Sequence, residues 1–418
     1  MHQPEKIMIE SSPATTRQTL HFLACGHVDD GKSTLMGRLL YDVGAVPEDQ
    51  LENAKVDGAI DFSRVTDGLK EERAQGITID VAYRYFRYKG RHYRITDTPG
   101  HVQYTRNMAV AAANSDCVLV LVDAAHGVRE QTVRHSCIAA FFGIKNFIVA
   151  VNKMDLVGFS EARFRDIEKQ YREVFATGMN NLQLTFIPVS GLMGANVVEQ
   201  SKDIPWYKGK PLMEYLSELE VETPTSSGAR LPIQSVVRIG ETRGYQGMLV
   251  DGEVSVGDSV AVAGTDITVP VNALYHSGRE VKSARHGQAI TLVTHEHADL
   301  SRGNVLYGLS APVLCSDNFT ARFLWLDPAY ERRDTVQGII KIHNREEQAE
   351  IQIKHSDGLM LDASIFTAAP IPVDVYSRHK QMGMFLMIHP ENEQAIGVGT
   401  VMSLKADAPV AQKHASSV

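Results

Sequence analysis

The chain has 418 residues, of which 44% are hydrophobic and 22% charged, and its formal net charge at pH 7 is −8. This length exceeds what one hydrophobic core supports, so we expect several domains, and the composition is typical of a soluble globular protein. The negative charge argues against nucleic-acid binding through bulk charge. The sequence shows no apolar signal segment, no membrane-spanning run and no C-x-x-C pair, so we expect a cytoplasmic protein with free thiols and no membrane partner.

Apolar runs alternate with helical patterns between residues 17 and 222. The predicted strands cover residues 19–25, 81–88, 91–97, 117–123, 146–152 and 182–189, and the clearest helical patterns cover 104–113, 128–142 and 160–174. This alternation predicts an α/β domain with a mostly parallel sheet. The polar residues 1–16 before it are expected to form a flexible arm.

The periodicity changes after a Pro/Ser/Gly-rich linker at 223–230. Short alternating runs separated by Gly-rich turns predict one small β-barrel over 231–316 and a second over 317–405. The clearest strands are expected at 232–239, 247–250, 259–262, 269–273 and 289–293 in the first barrel and at 321–326, 337–343, 348–354, 371–375 and 384–388 in the second. Residues 406–418 are expected to form a disordered tail.

Residues 26–33 read G-H-V-D-D-G-K-S and fit the phosphate-binding pattern G-x-x-x-x-G-K-[ST]. A predicted strand precedes the motif and a helical pattern follows it, as the motif requires. Glycines let backbone N–H groups converge on phosphates, and the helix N-terminus adds positive potential. We expect Lys32 to reach the β and γ phosphates and Ser33 to bind Mg²⁺. The predicted phosphate-binding residues are Gly26, His27, Val28, Asp29, Asp30, Gly31, Lys32, Ser33 and Thr34.

A second motif, D-T-P-G, directly follows the predicted strand at 91–97. A carboxylate at a strand end fits the acidic residue that reaches Mg²⁺ through its hydration shell, so Asp97 is a predicted metal residue. Gly100 would offer its N–H to the γ-phosphate, and His101 is the predicted catalytic residue that orients the attacking water. The nucleotide-binding residues predicted from this motif are Asp97, Thr98, Pro99 and Gly100.

A nucleotide-dependent switch is predicted between the first helix and the second strand. There the sequence reads Gly-Ile-Thr, and the hydroxyl of Thr78 is predicted to join Ser33 and Asp97 around Mg²⁺ when the γ-phosphate is present.

A third motif, N-K-M-D, closes the predicted strand at 146–152. Guanine presents two donors on one edge, N1–H and N2–H₂, and the carboxylate of Asp155 can accept both. Asn152 is predicted to serve the O6/N7 side, and the stem of Lys153 is predicted to cover the base plane. Ser190 and Gly191 follow the last predicted strand and would add a backbone N–H to O6. Adenine lacks the donor pair, so the motif predicts selection of GTP and GDP over adenine nucleotides.

The three motifs, in this order and at these distances, are specific for a GTPase. Together with Asp-Thr-Pro-Gly-His at 97–101 and two β-barrels after the α/β domain, they resemble the translation-factor GTPases of the elongation-factor type. More specific segments resemble the large, GTP-binding subunit of bacterial ATP sulfurylases, densely over roughly 18–220 and more loosely in the first barrel. These segments are V-D-D-G-K-S-T-L-M-G-R-L-L at 28–40, Q-Y-T-R-N-M at 103–108 and I-P-W-Y at 204–207. The segment at 376–385 departs from the family pattern.

The resemblance implies a multidomain protein, with an α/β P-loop GTPase domain followed by two small β-barrels. It also implies a heterodimer in which a small adenylyltransferase subunit converts ATP and sulfate into adenosine 5′-phosphosulfate and pyrophosphate. The large subunit would bind GTP or GDP with Mg²⁺, and its GTP hydrolysis would drive that unfavourable step. The alternative is an elongation-factor-type GTPase that binds aminoacyl-tRNA. Asp30, where elongation factors usually carry His, favours the first hypothesis.

Overall fold

A computed structural model of the chain describes residues 19–66, 82–98, 108, 111–175, 182–221, 228–240, 242–295, 299–326, 330, 333–357 and 360–405. The chain divides into two compact units, Met1–Glu222 and Thr223–Val418. The predicted arm at 1–16, the predicted tail at 406–418 and most of the predicted linker lie outside the described residues.

The first unit is organised by one sheet. The strands of this unit are β1 (Leu20–Gly26), β2 (Lys55–Val56), β3 (Ala59–Ile60), β4 (Ala82–Tyr88), β5 (Arg91–Asp97), β6 (Cys117–Asp123), β7 (Asn146–Asn152) and β8 (Gln183–Pro188). Among the described residues, β2 and β3 pair only with each other, and the other six strands form a sheet in the order β4–β5–β1–β6–β7–β8. β4 is antiparallel to β5 and every other neighbouring pair is parallel, which confirms the predicted α/β sheet.

The helices of this unit follow the strands in alternation. They are α1 (Lys32–Asp42), α2 (Glu48–Asn53), α3 (Ser63–Thr66), α4 (Glu130–Phe141), α5 (Glu161–Phe175) and α6 (Leu212–Glu218), with a 3₁₀ turn at Met154–Val157. The predicted helices at 128–142 and 160–174 correspond to α4 and α5. The predicted helix at 104–113 is described only at residues 108 and 111–113, all of which are helical.

Helices cover both faces of the sheet, which is why its central strands are apolar along their whole length. Every residue of β6 is buried. On one face, Phe22 of β1 packs in a cluster with Leu39 of α1 and Leu212 of α6. On the other face, Tyr171 of α5 is fully buried against Phe186 of β8, and its hydroxyl lies 2.6 Å from the Ser136 hydroxyl of α4.

The carboxyl ends of β1, β5, β6 and β7 lie at one edge of the sheet because these strands are parallel. The strand register pairs Ala24 with Asp97 and Asp123 with Asn152. Loops at this edge of an open α/β sheet are where such folds bind their ligands. The fold therefore brings the predicted motifs to one place.

The second unit begins with eleven short strands. They are β9 (Arg230–Pro232), β10 (Ser235–Ile239), β11 (Thr242–Met248), β12 (Glu253–Ser255), β13 (Ser259–Val262), β14 (Thr268–Pro270), β15 (Ala273–His276), β16 (Arg279–Val281), β17 (Ser283–Arg285), β18 (Ala289–Thr294) and β19 (Val305–Gly308). Among the described residues they form a five-stranded sheet (β10–β11–β18–β15–β16), a four-stranded sheet (β14–β13–β19–β9) and a pair (β12–β17). Leu231, Tyr245, Val260, Leu274 and Leu292, from both larger sheets, share one core.

The remaining strands close into a barrel. They are β20 (Leu314–Trp325), β21 (Thr335–Ile342), β22 (Arg345–Asp357), β23 (Met360–Val373), β24 (Met384–Ile388) and β25 (Ala395–Leu404), in the closed order β20–β23–β22–β21–β24–β25. Phe319, Phe323, Ile351, Ile365 and Phe385 fill the interior. A parallel-sheet unit followed by antiparallel β structure with a closed six-stranded barrel confirms the predicted fold class.

Ionic side chains join the two β regions inside the second unit. Nε of Arg230 donates to Oδ2 of Asp374 at 2.9 Å, and Nδ1 of His379 lies 2.7 Å from Oδ2 of Asp251. All four side chains are at most 14% exposed. His379 belongs to the segment at 376–385 that departs from the family pattern, so that segment carries part of the contact between the β regions.

The described part of the chain contains no helix that is both long and apolar enough to cross a membrane. All four cysteines are free thiols, and Cys25 and Cys117 are buried.

Candidate nucleotide site

The loop between β1 and α1 carries the predicted P-loop sequence. Two of its residues lie in the left-handed region, Asp29 with φ 68° and Gly31 with φ 84°. A Cβ atom at Gly31 would lie 2.6 Å from Nδ2 of Asn152 and 3.5 Å from Cε of Lys153. Gly31 is therefore required both for its backbone angle and for the close approach of the N-K-M-D segment. α1 begins directly afterwards at Lys32, so its first N–H groups face the loop.

Asn152 ties three segments of the site together. It is 2% exposed, its Nδ2 donates to the Asp30 carbonyl at 2.9 Å, and its Oδ1 accepts the Gly191 N–H at 2.9 Å. The side chain thus connects the end of β7 to the P-loop and to the loop after β8. The role of Asn152 on the O6/N7 side of the base stays a prediction beside these two contacts.

Asp155 is held by its neighbour across the site. The Ser190 hydroxyl donates to Oδ1 of Asp155 at 2.6 Å and accepts the Met193 N–H at 3.1 Å. These two bonds fix the carboxylate and the backbone of the 190–193 loop relative to each other. A carboxylate held in one orientation is suited to accept two parallel donors from a planar base edge.

Lys32 and Asp97 face each other at the phosphate end of the site. Lys32 Nζ lies 3.9 Å from Oδ1 of Asp97, and the two side chains are 9% and 8% exposed. Thr98 follows Asp97, is fully buried and donates through its hydroxyl to the Ala24 carbonyl at 3.1 Å. This bond connects the start of the D-T-P-G motif to β1.

The donors at this end fit Mg²⁺. Ser33 offers a hydroxyl and Asp97 a carboxylate, which are the hard oxygen ligands that the ion prefers. Among the described residues, no group of three or more His, Cys, Asp or Glu side chains is arranged to hold a metal ion. Mg²⁺ commonly takes its remaining ligands from water and substrate phosphates.

Buried ionisable groups lie beneath the P-loop. Asp30 is 1% exposed and its Oδ2 accepts the His27 N–H at 2.9 Å; burial raises the pKa of its carboxyl to about 6, although that hydrogen bond opposes the shift. Nδ1 of His27 lies 2.9 Å from Oε1 of Gln131. Burial, reinforced by the positive charge of Lys32, lowers the pKa of His135 to about 3, so this imidazole is neutral.

Asp123, at the end of β6, was not predicted as a site residue. It is 2% exposed, and its carboxylate accepts the Ala125 N–H at 2.7 Å and lies 2.8 Å from Lys153 Nζ. Burial alone would raise the pKa of Asp123, but hydrogen bonds from Lys153, Ala125 and His126 outweigh it and hold the pKa below its usual value. The sequence did contain a signal for Asp123, because this carboxylate ends the predicted strand at 117–123. In the structure that strand, β6, pairs with β7, which ends in the N-K-M-D motif.

The structure brings the described members of the three motifs to one edge of the sheet. The predicted site residues that the structure describes are Gly26, His27, Val28, Asp29, Asp30, Gly31, Lys32, Ser33, Thr34, Asp97, Thr98, Asn152, Lys153, Asp155, Ser190 and Gly191. Four predicted residues, Thr78, Pro99, Gly100 and His101, lie outside the described residues. Gln131, His135 and Asp123 are the additions that tertiary structure makes.

Comparison with known proteins identifies the first unit as a GTP-binding domain. Residues 17–222 match the model of the elongation factor Tu GTP binding domain. Among solved structures, the chain resembles the bacterial selenocysteine-specific elongation factor EF-Sec with a TM-score of 0.54 and 21% sequence identity, over 94% of this chain and 59% of that one. At this identity the likeness shows the fold alone.

Curated relatives extend over nearly the whole chain. The sulfate adenylyltransferase subunit 1 of Psychromonas ingrahamii is 36% identical, over 96% of this chain and 90% of that protein. The bifunctional enzyme NodQ of Rhizobium tropici is 38% identical, and the match covers 91% of this chain but only 64% of NodQ. With a match of this identity along most of both sequences, the chain belongs to the sulfate adenylyltransferase subunit 1 family and carries an elongation factor Tu-type GTP-binding domain.

Proposed function

We propose that this protein is the GTP-hydrolysing regulatory subunit of a sulfate adenylyltransferase. The observation that supports the proposal is the hydrogen-bonded connection of the P-loop to the N-K-M-D segment through Asn152. In this proposal the P-loop cradles the phosphates, and Asp155 of the N-K-M-D segment reads the guanine base beside it. The family of the chain supplies the reaction, because its relatives are named as subunit 1 of that enzyme.

Asp155 is the proposed base-reading residue. Its carboxylate, fixed by Ser190, accepts N1–H and N2–H₂ of guanine. Adenine offers no such donor pair and would leave the carboxylate without its hydrogen bonds, which costs affinity. Gly191 and the stem of Lys153 complete the base site.

Lys32, Ser33 and Asp97 form the proposed phosphate and Mg²⁺ end. Lys32 neutralises the β and γ phosphates, while Ser33, Asp97 and Thr78 serve the ion, which supplies charge stabilisation during phosphoryl transfer when bound. His101 is proposed to orient the attacking water. The ion pair between Lys32 and Asp97 keeps both side chains at this end before nucleotide binds.

The adenylyl transfer is assigned to a separate small subunit. The sequence contains one P-loop, and guanine nucleotide occupies it in this proposal. The partner would join ATP to sulfate and release pyrophosphate. GTP and GDP would stabilise different conformations of the switch at Thr78, and a partner that prefers one conformation would be shifted with it.

The test of base reading is Asp155→Asn. The amide replaces an acceptor pair by one acceptor and one donor, so we expect GTP affinity to fall by about 2–4 kcal/mol and the preference to move toward xanthosine triphosphate. Asp203→Asn, an exposed change in the same unit, is the matched control. Equal GTP affinities for the two variants would remove Asp155 from this role.

The test of the whole proposal uses the protein together with a co-encoded small subunit. We expect GTP to increase adenosine 5′-phosphosulfate formation. Lys32→Ala should abolish the increase, whereas Lys169→Ala, which changes an exposed side chain of α5, should retain it. His101→Ala should keep GTP binding and slow hydrolysis by roughly 10²–10³-fold, the scale of losing one positioned group. Hydrolysis triggered by ribosomes, with no GTP effect on the product, would assign the protein to the translation factors instead.

A further inference from the structure

The conformation of Lys153 is fixed by its backbone angles and by two contacts of its ammonium group. Its backbone lies in the left-handed region, with φ 59° and ψ 35°, which a residue with a long side chain rarely adopts. Its Nζ donates to the Asp29 carbonyl at 2.5 Å and lies 2.8 Å from Oδ2 of Asp123. The side chain therefore spans the gap between the end of β7 and the P-loop.

Asp123 is built to hold a cation at this position. Its carboxylate is 2% exposed, so the ion pair with Lys153 is poorly screened by water. The Ala125 N–H fixes the other oxygen, and Nδ1 of His126 lies 3.2 Å from Oδ2. Asp123 and Asn152 are also paired in the register of β6 and β7, so the carboxylate has a fixed height relative to the N-K-M-D segment.

The held conformation matters because the stem of Lys153 forms a wall of the proposed base site. Cε of Lys153 would lie only 3.5 Å from a Cβ atom at Gly31, so the stem packs along the P-loop. An unanchored lysine side chain loses about 1.5–2 kcal/mol of rotamer entropy when it is ordered. An anchor that orders it before nucleotide binds removes part of that cost from binding.

We propose that Asp123 is a positioning residue of the base site, which preorganises the side chain of Lys153 to cover the purine plane. This inference rests on the proposed guanine site. Asp123 acts through Lys153 and touches neither the base edge nor the phosphates. Its effect is therefore the same for GTP and GDP and for purines with different edges, such as inosine and xanthosine nucleotides.

The test is a double-mutant cycle of Asp123→Asn with Lys153→Met, read by equilibrium binding of GTP, GDP and inosine diphosphate. Asparagine keeps the acceptor for the Ala125 N–H and removes the charge, while methionine keeps an apolar stem and removes the ammonium group. We expect Asp123→Asn to weaken all three nucleotides by a similar factor of roughly tenfold, the scale of one charge-assisted hydrogen bond. In the Lys153→Met background the same change should have no further effect.

Asp116→Asn is the matched control, since it makes the same charge change just before β6, at the other end of that strand. It should leave all three affinities unchanged. Asp123→Ser is a second variant that keeps a turn-forming acceptor, and it should reproduce Asp123→Asn if the latter folds poorly. Thermal unfolding of each variant separates lost binding from lost structure.

The outcomes separate this inference from the proposed function. If Lys153→Met leaves nucleotide affinity unchanged, the proposed base site is wrong. If Lys153→Met weakens binding but Asp123→Asn weakens it equally in both backgrounds, or weakens GTP and not inosine diphosphate, then Asp123 does not act through Lys153 and the inference is overturned.

Discussion

Removal of the Asn152 side chain tests whether the nucleotide site is assembled before any ligand binds. Asn152→Ala eliminates a donor to the Asp30 carbonyl and an acceptor for the Gly191 N–H, each at 2.9 Å. Both groups then lose a buried partner. A buried polar group left unpaired costs roughly 1–3 kcal/mol, so we expect the loss of two such partners to lower the unfolding free energy of the first unit by about 2–6 kcal/mol.

The two tryptophans of the chain give a selective assay, because one lies in each unit. Trp206 in the first unit donates from Nε1 to the Phe159 carbonyl at 2.9 Å and lies 5.3 Å from the ring of Phe164. In a Trp325→Phe background, tryptophan fluorescence during urea unfolding reports only the first unit. We expect the midpoint to fall without a change in slope.

Asn146→Ala is the matched control for this prediction. Asn146 stands at the other end of the same strand, and its side-chain oxygen has no hydrogen-bond partner among the described residues. We expect a loss of under about 1 kcal/mol, since no buried group loses a partner. If Asn152→Ala were no more destabilising than Asn146→Ala, the argument that Asn152 joins the P-loop to the base loop would be refuted.

Three further changes test other parts of the structure. Because the pKa of Asp30 is raised to about 6, the folded protein keeps a proton there that the unfolded chain releases. The unfolding free energy should therefore fall by up to roughly 3 kcal/mol as the pH rises from about 4 to 7, and thermal unfolding of Asp30→Asn across this pH range should not show the fall. Gly37→Ala places a Cβ 1.9 Å from the Phe62 carbonyl oxygen; α1 must shift, and calorimetry should show a loss of at least roughly 1–3 kcal/mol. Arg230→Met removes the ion-pair partner of the Asp374 carboxylate. We expect urea unfolding to show that the second unit loses roughly 3–5 kcal/mol of unfolding free energy, and that adding Asp374→Asn restores part of it. If Arg230→Met were as stable as the unchanged protein, the pair would have no structural role.

Residues close together in the chain account for the parts of the site that could be predicted. The P-loop needs its glycines and Lys32 within eight consecutive positions, because one tight turn must present its N–H groups to phosphate. The sheet strands of the first unit were predictable for a related reason, since apolar runs of strand length, bounded by turns, directly reflect burial on both faces. The barrel strands were harder to predict. β20, β22 and β23 are longer than predicted, and their pairing register shifts between Ser316 and Asn318 and between Ile353 and His355, which interrupts the alternation of apolar and polar residues.

The sequence by itself predicted the sheet strands of the first unit, the three motifs and a guanine nucleotide as the ligand, because each depends on local spacing that the backbone imposes. Only the tertiary structure decided which side chains serve as supports. Asn152 reaches the Asp30 carbonyl across 122 residues, and Arg230 meets Asp374 across 144. No periodicity encodes such partners, because strand order and register bring them together. Asp123 is the clearest case, since a carboxylate at a strand end becomes the anchor of Lys153 only when β6 and β7 lie side by side in the sheet.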